Sequence, residues 1–220
     1  MQKSPFIALV CALCFVSTAS ADAPVAQVFL QTDNLLGNPI SSITAGADFQ
    51  LEAFVQDIRN PAYQIPGIFS AYLNVAYDPS LASITSIAHA GQADPGIMFA
   101  PEFPILQTGD LSTAGLISAS GASMEVLPNT TAEQLLFTVI VHATNSGTEA
   151  FTSSFDSQPG HEFLVDSNLI ADLTQNQILF GQVTLTILPE PSSLVLSAIC
   201  SFALAGWGMN RWRKNRAAGA

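Results

Sequence analysis

The side chains in this sequence that can do chemistry are mostly carboxylates. The 220 residues hold seventeen Asp and Glu, three His and six Lys or Arg. The bases sit at the ends: Lys3, then Arg211, Arg213, Lys214 and Arg216. Between Asp22 and Leu188 only Arg59 stands against sixteen carboxylates, a net charge of about −15. Such a segment cannot neutralise phosphates, which excludes nucleic acid as a partner. It stays soluble through self-repulsion. The carboxylates invite an acid–base reading, but sequence alone cannot pair two of them across a cleft for glycoside hydrolysis.

The remaining chemistry is sparse. No nucleophile elbow, His-Glu-x-x-His, phosphate-binding loop or dinucleotide fingerprint occurs. His89, His142 and His161 are scattered. The densest cluster runs from Asp156 to Asp172, with His161, Glu162 and Asp166 between them. Its spacing matches no EF-hand loop, so it reads first as a solvated acidic loop, calcium being the one cofactor it leaves open. Cys11, Cys14 and Cys200 lie in the terminal apolar segments. The middle therefore has neither a disulfide nor a thiolate, and its stability must come from its core. It also lacks Trp, which leaves Tyr63 and Tyr72 as candidates for stacking on a sugar, Tyr77 having the parity of a core residue.

These residues must be delivered and positioned. Lys3 precedes an apolar run, Phe6 to Val16, and then small residues ending Ala19-Ser20-Ala21. That is a signal peptide over 1–21, with cleavage expected after Ala21 and Ala19 and Ala21 at the site. At the other end, Pro189-Glu190-Pro191 is held extended, since proline fixes φ and lacks an N–H. The next 18 residues, 192–209, carry no charge. As a helix they span about 27 Å, enough for a thin hydrocarbon core. Arg211, Arg213, Lys214 and Arg216 then stop translocation and remain cytoplasmic, with Trp207 and Trp212 at the interface. The order of Pro-Glu-Pro, one hydrophobic helix and a terminal basic cluster resembles the PEP-CTERM sorting tail of exported bacterial proteins. That resemblance covers about thirty residues. It implies an exosortase-like membrane enzyme that processes the chain near Pro189, Glu190 and Pro191.

The segment 22–188 shows strand periodicity. Phe49, Leu51, Ala53 and Val55 share one face, with Gln50, Glu52 and Gln56 on the other, where Phe54 is the exception. Further strands are expected over 25–31, 67–77, 82–88, 115–120, 135–141, 148–155, 162–165 and 182–187, separated by Pro, Gly and Asn turns. One helical turn is expected at 131–135, capped by Thr131. The apolar, proline-rich connection 91–106 is expected to fold back over one end, where its functional reading is a binding lip. Eight or nine short strands in this length predict an all-β fold, a single antiparallel β-sandwich.

Gly67-Ile-Phe-Ser-Ala-Tyr-Leu-Asn-Val-Ala-Tyr77-Asp-Pro-Ser-Leu81 resembles the early strands of cohesin-type domains, and Leu136 to Thr144, with Gly147 and Phe151, resembles a later pair. The resemblance spans roughly residues 28–187 and implies a nine-stranded jelly roll related to carbohydrate-binding modules of families 2 and 3. It does not assign a dockerin partner. The expected organisation is a signal peptide (1–21), a cohesin-like sandwich (22–188) and a sorting tail (189–216). The expected function is that of an exported, non-enzymatic surface or matrix protein of the cell envelope, membrane-anchored until its tail is processed. Its partner is an extracellular protein or a polysaccharide. The alternatives are a carbohydrate-binding module proper and, third, a glycoside hydrolase.

Overall fold

The computed structural model describes residues 23–59, 66–87, 93–125, 130–165 and 172–190. The signal segment with Ala19 and Ala21, Tyr63, Asp166, Pro191, the apolar run 192–209 and the terminal basic cluster lie outside the described residues. Among the described residues no helix is long and apolar enough to cross a membrane.

Among the described residues twelve strands follow in order: β1 (Ala26–Asp33), β2 (Ser42–Thr44), β3 (Asp48–Asp57), β4 (Ser70–Ala76), β5 (Ala82–Ser83), β6 (Ile97–Phe99), β7 (Ile105–Asp110), β8 (Leu116–Ser123), β9 (Gln134–Ala143), β10 (Gly147–Phe155), β11 (Ile178–Leu179) and β12 (Gln182–Leu188). They form two sheets. The first has the order β11-β1-β3-β9-β5, with β6 also on β9, and the second β2-β12-β10-β4-β8-β7. The pairs β1–β11 and β2–β12 are parallel and the rest antiparallel.

The alternation in the sequence accounts for the layering. Phe49, Leu51, Ala53 and Val55 of β3 and Phe137, Val139 and Val141 of β9 bury against Leu73 and Val75 of β4, Ile117, Phe151 and Leu185. Each strand presents alternate residues to this interior, so the sheets are glued by side chains two residues apart. Fully burying one such Phe or Leu is worth about 1.5–3 kcal/mol. Tyr77 belongs to this core, 8% exposed, as its parity predicts.

Several expectations are corrected. The helical turn at 131–135 does not form: β9 begins at Gln134, and Thr130 Oγ1 accepts from Ala132 N at 3.0 Å in a local turn. The strand expected over 82–88 ends at Ser83, because the N–H of Ile87 and the hydroxyl of Ser86 turn away to the Asp94 carboxylate. Segment 162–165 contributes a single bridge, Leu164 to Ser70. The connection 91–106 does fold back, but not as a loop. Ile97–Phe99 pairs with β9, and Phe103 is fully buried.

Two details position the exposed faces. Asp57 accepts from Arg59 Nη2 at 2.7 Å and from Gly67 N at 2.9 Å, while Arg59 Nη2 donates to Val165 O at 2.7 Å, closing one end of the sandwich. At the other end β12 runs straight into Pro189. Ala45 N donates to Leu188 O at 2.9 Å, and the Glu190 carboxylate lies over Gly46, whose φ is +85°. The chain thus leaves the sandwich with no slack.

Candidate partner-binding face

The outer face of the second sheet is built mostly from Thr, Ser, Ala, Gln and Asn, with Leu188 exposed at one end and Tyr72 covered on β4. Register places Thr186 between Ser42 and Thr148, Thr184 beside Ala150, Thr152 between Gln182 and Ala76, and Ser154 beside Asn74. In this sheet's strands the only charged residues are Glu149, which points inward and is fully buried, and Asp110 at the end of β7. The first sheet carries Asp33, Asp48, Glu52 and Asp57. A segment of net charge about −15 therefore leaves the outward side of β2, β12 and β10 without a charged residue, the charged groups near this sheet being those of the excursion over β4, Asp156 and Glu162. Depletion of charge is what distinguishes the centre of a protein interface from ordinary surface.

The face is continued by an irregular edge. β7 pairs with β8 only through register shifts, and Leu106 and Ala119 sit at φ of +52° and +51°. Left-handed backbone costs a non-glycine residue about 1–2 kcal/mol. The surroundings hold it: Tyr72 Oη donates to Leu106 O at 3.0 Å, and Ala119 N donates to Asn74 Oδ1 at 2.7 Å. Asn74 also donates to Phe155 O at 3.3 Å, tying β8 and β10 across the bulge in β4. The result presents Leu106 at 67% exposure beside an open cleft of about 440 Å³ lined by Pro95, Ile97, Phe99, Pro104 and Gln107.

Tyr72 is where a sequence expectation fails. Its parity is outward, but it is 2% exposed and cannot offer a ring to a sugar. The reason is the 156–161 excursion, which lays His161 over it, ring centroids 4.6 Å apart and nearly parallel. Asp156 Oδ2 holds His161 Nδ1 at 2.5 Å. Burial pushes the Tyr72 phenol up; the Ser123 hydroxyl opposes this and the Glu162 charge adds to it.

Among the described residues the acid–base candidates do not assemble into a catalytic set. Asp48 pairs with His142 at 2.7 Å on the first sheet, remote in the register from Asp156 and His161. Neither imidazole shows a hydrogen bond to a hydroxyl among the described residues. Asp172 Oδ1 accepts from Phe163 N at 3.0 Å, a structural bond. Among the described residues no three His, Cys, Asp or Glu side chains are grouped to hold a metal.

Sequence reasoning missed β7 as a strand, though the expected lip 91–106 supplies Pro95, Ile97, Phe99 and Pro104 of the cleft, and it missed the scarcity of charge in the second sheet's strands. The second was legible as the run of strands 70–76, 116–123, 147–155 and 182–188 with almost no ionisable residue. The first was hidden because left-handed residues break the alternation that reveals a strand.

No protein-family profile and no curated protein sequence matches this chain. Solved structures do. A cohesin module from a family 33 glycoside hydrolase of Clostridium perfringens aligns over 76% of this chain and 100% of its own, with a TM-score of 0.51 and 12% identity. A type II cohesin domain from the cellulosome of Acetivibrio cellulolyticus covers 74% and 95%, with a TM-score of 0.46 and 13% identity. A Clostridium thermocellum cohesin–dockerin complex gives 74%, 99%, 0.42 and 11%. At such identities what is shared is the fold, and the chain has a cohesin-like β-sandwich.

Proposed function

We propose that this chain is an exported, non-enzymatic binding protein whose sandwich docks a protein partner on the outer face of the second sheet. The observation that carries the reading is the absence of charged residues from the outward side of β2, β12 and β10 on a strongly acidic domain. An array of Thr, Ser and Ala excludes water without the desolvation cost of buried carboxylates. Leu106 at its edge supplies an apolar anchor on a backbone already held in place. Likeness in fold to a cohesin module supports a binding role over a catalytic one.

The organisation proposed is a signal peptide (1–21), the sandwich (22–188) and a PEP-CTERM tail (189–216) recognised by an exosortase-like enzyme. The absence of slack between β12 and Pro189 supports a transient anchor. An unprocessed protein would hold the sandwich against the membrane and restrict its faces. Mass spectrometry of the mature protein tests the tail: a terminus upstream of Ala220, near Pro189, is expected, and a chain still ending at Ala220 overturns processing. For the face, Thr152→Arg should reduce co-purification of the native envelope partner at least tenfold without lowering thermal stability. Unchanged recovery of that partner overturns the assignment.

A further inference from the structure

The outer face of the first sheet has a different chemistry, and it is independent of the reading just given. Register sets Phe29 of β1 directly opposite Phe54 of β3, with Leu135 of β9 in the same row. Both Phe rings are half-buried, and neither belongs to the hydrophobic core. Gln27 and Gln56 form the row on one side; Gln31, Glu52 and Thr138 form the row on the other. The polar groups are partly fixed: Gln31 Nε2 donates to Asp33 at 2.8 Å, and Gln56 Nε2 donates to Thr131 O at 2.9 Å. Further along β3 and β9 the face runs past Ile140 into a cleft of about 270 Å³, floored by the Asp48–His142 pair and flanked by Met98.

From this arrangement we propose that the outer face of the first sheet binds a neutral polysaccharide along β3 and β9, stacking a sugar on Phe29 and Phe54 and seating the chain further along in the cleft at His142.

Three observations select that occupant. A sugar ring offers an apolar face to an aromatic ring and hydroxyls around its edge. A Phe pair bracketed by amide and carboxylate rows matches both, with aromatic contact at the centre and donors and acceptors on either side. The platform is long: from Phe54, beside the bulge in the β3–β9 register, to Asp48 is about 20 Å at ~3.3 Å per residue, room for several sugars in a row. The charge fixes the polymer class. A face that presents Asp48 and Glu52, on a domain with one base, disfavours polyanions over neutral chains.

The test is affinity electrophoresis and depletion with the full chain in mild detergent. The probes are insoluble cellulose, xylan and hydroxyethylcellulose, with alginate as the anionic contrast. Retention by at least one neutral polymer is expected. Phe54→Ala should weaken it at least tenfold, and Phe54→Trp, which enlarges the stacking face, should bind at least as tightly. Circular dichroism of each variant shows whether it is folded, and the Trp variant keeps the proposal exposed if the Ala variant is not. Four outcomes overturn it: no retention by any of the three neutral polymers, retention indifferent to Phe29→Ala and Phe54→Ala in folded protein, alginate retained equally, or Phe54-dependent capture of a protein in place of a glycan. The first three leave the partner reading of the second sheet untouched, since it rests on Thr152, and the fourth is told apart from it by whether capture also depends on Thr152.

Discussion

Glu149→Gln should make this protein more stable at neutral pH. Glu149 lies on the inward side of β10 and is fully buried. Its Oε1 accepts from Asp78 N at 2.9 Å and Ala150 N at 3.0 Å, which anchors the Asp78-Pro79 turn to β10, while Oε2 has no partner. Burial pushes the carboxyl above the ordinary 4.5; the two N–H donors oppose this, and the neighbouring Asp78 charge adds to it. The amide of Gln keeps the Oε1 acceptor and removes the charge. An unsatisfied buried polar atom costs about 1–3 kcal/mol, and more when charged. Since the amide NH₂ is itself left unpaired, the net gain is about 1 kcal/mol. For a domain of this size that raises Tm by about 2–4 °C. The pH dependence follows from linkage. Below 4.5 Glu149 is protonated folded and unfolded, and the variant has little advantage. As pH rises from 4.5 through the raised folded value, the folded state holds the extra proton and the wild type loses stability, after which the difference stays constant. Urea melts of both proteins at pH 4 and pH 8 read this directly. A variant less stable by 1 kcal/mol at pH 8, or a difference independent of pH, refutes the reasoning.

Three further outcomes are expected. Burial pushes the Asp57 carboxyl up, but Arg59 and the N–H groups of Gly67 and Arg59 outweigh it and leave it below 3.8. Its contribution is present above 3.8 and lost as pH falls through the folded value, so Asp57→Asn should cost about 3 kcal/mol at pH 7 and much less under strong acid, measured by urea midpoint. Gly121→Ala should cost about 3 kcal/mol in the same assay, because its Cβ would lie 2.0 Å from the Ala71 carbonyl oxygen and β4 and β8 would have to part. Leu106→Gly relieves a left-handed residue and should stabilise by about 1 kcal/mol in thermal melts, while weakening partner recovery; a variant that is both stabler and fully competent would remove Leu106 from the interface.

The sandwich was readable because its long strands alternate cleanly. Phe49 to Val55 and Val183 to Ile187 display on paper the faces they use in space. The junction at Pro189 was readable for the same reason, since alternation runs to Ile187 and proline ends the ladder. Short strands were not: Ser42–Thr44, Ile97–Phe99 and Ile178–Leu179 are too brief to show a period and exist because a neighbour's edge is free to pair. Thr131 looked like a helix cap, but pairing with β3 claims β9 from Gln134 onward and overrides the local signal. Tyr72 shows the limit for sites. Its strand parity was legible, but its burial depends on His161, 89 positions away, and on Asp156 holding that ring. Phe54, the one break in its face, was visible in the sequence; its partner Phe29 needed the register.

The most direct test of the central claim is site-specific photo-crosslinking in the native envelope. A photoreactive residue is placed in turn at Thr152 and Thr184 on the second sheet, and at Gln27 and Gln50 on the first. The account predicts one protein adduct of constant mass from positions 152 and 184 and none from 27 and 50. Protein adducts from the first sheet alone, or none from either, would contradict it.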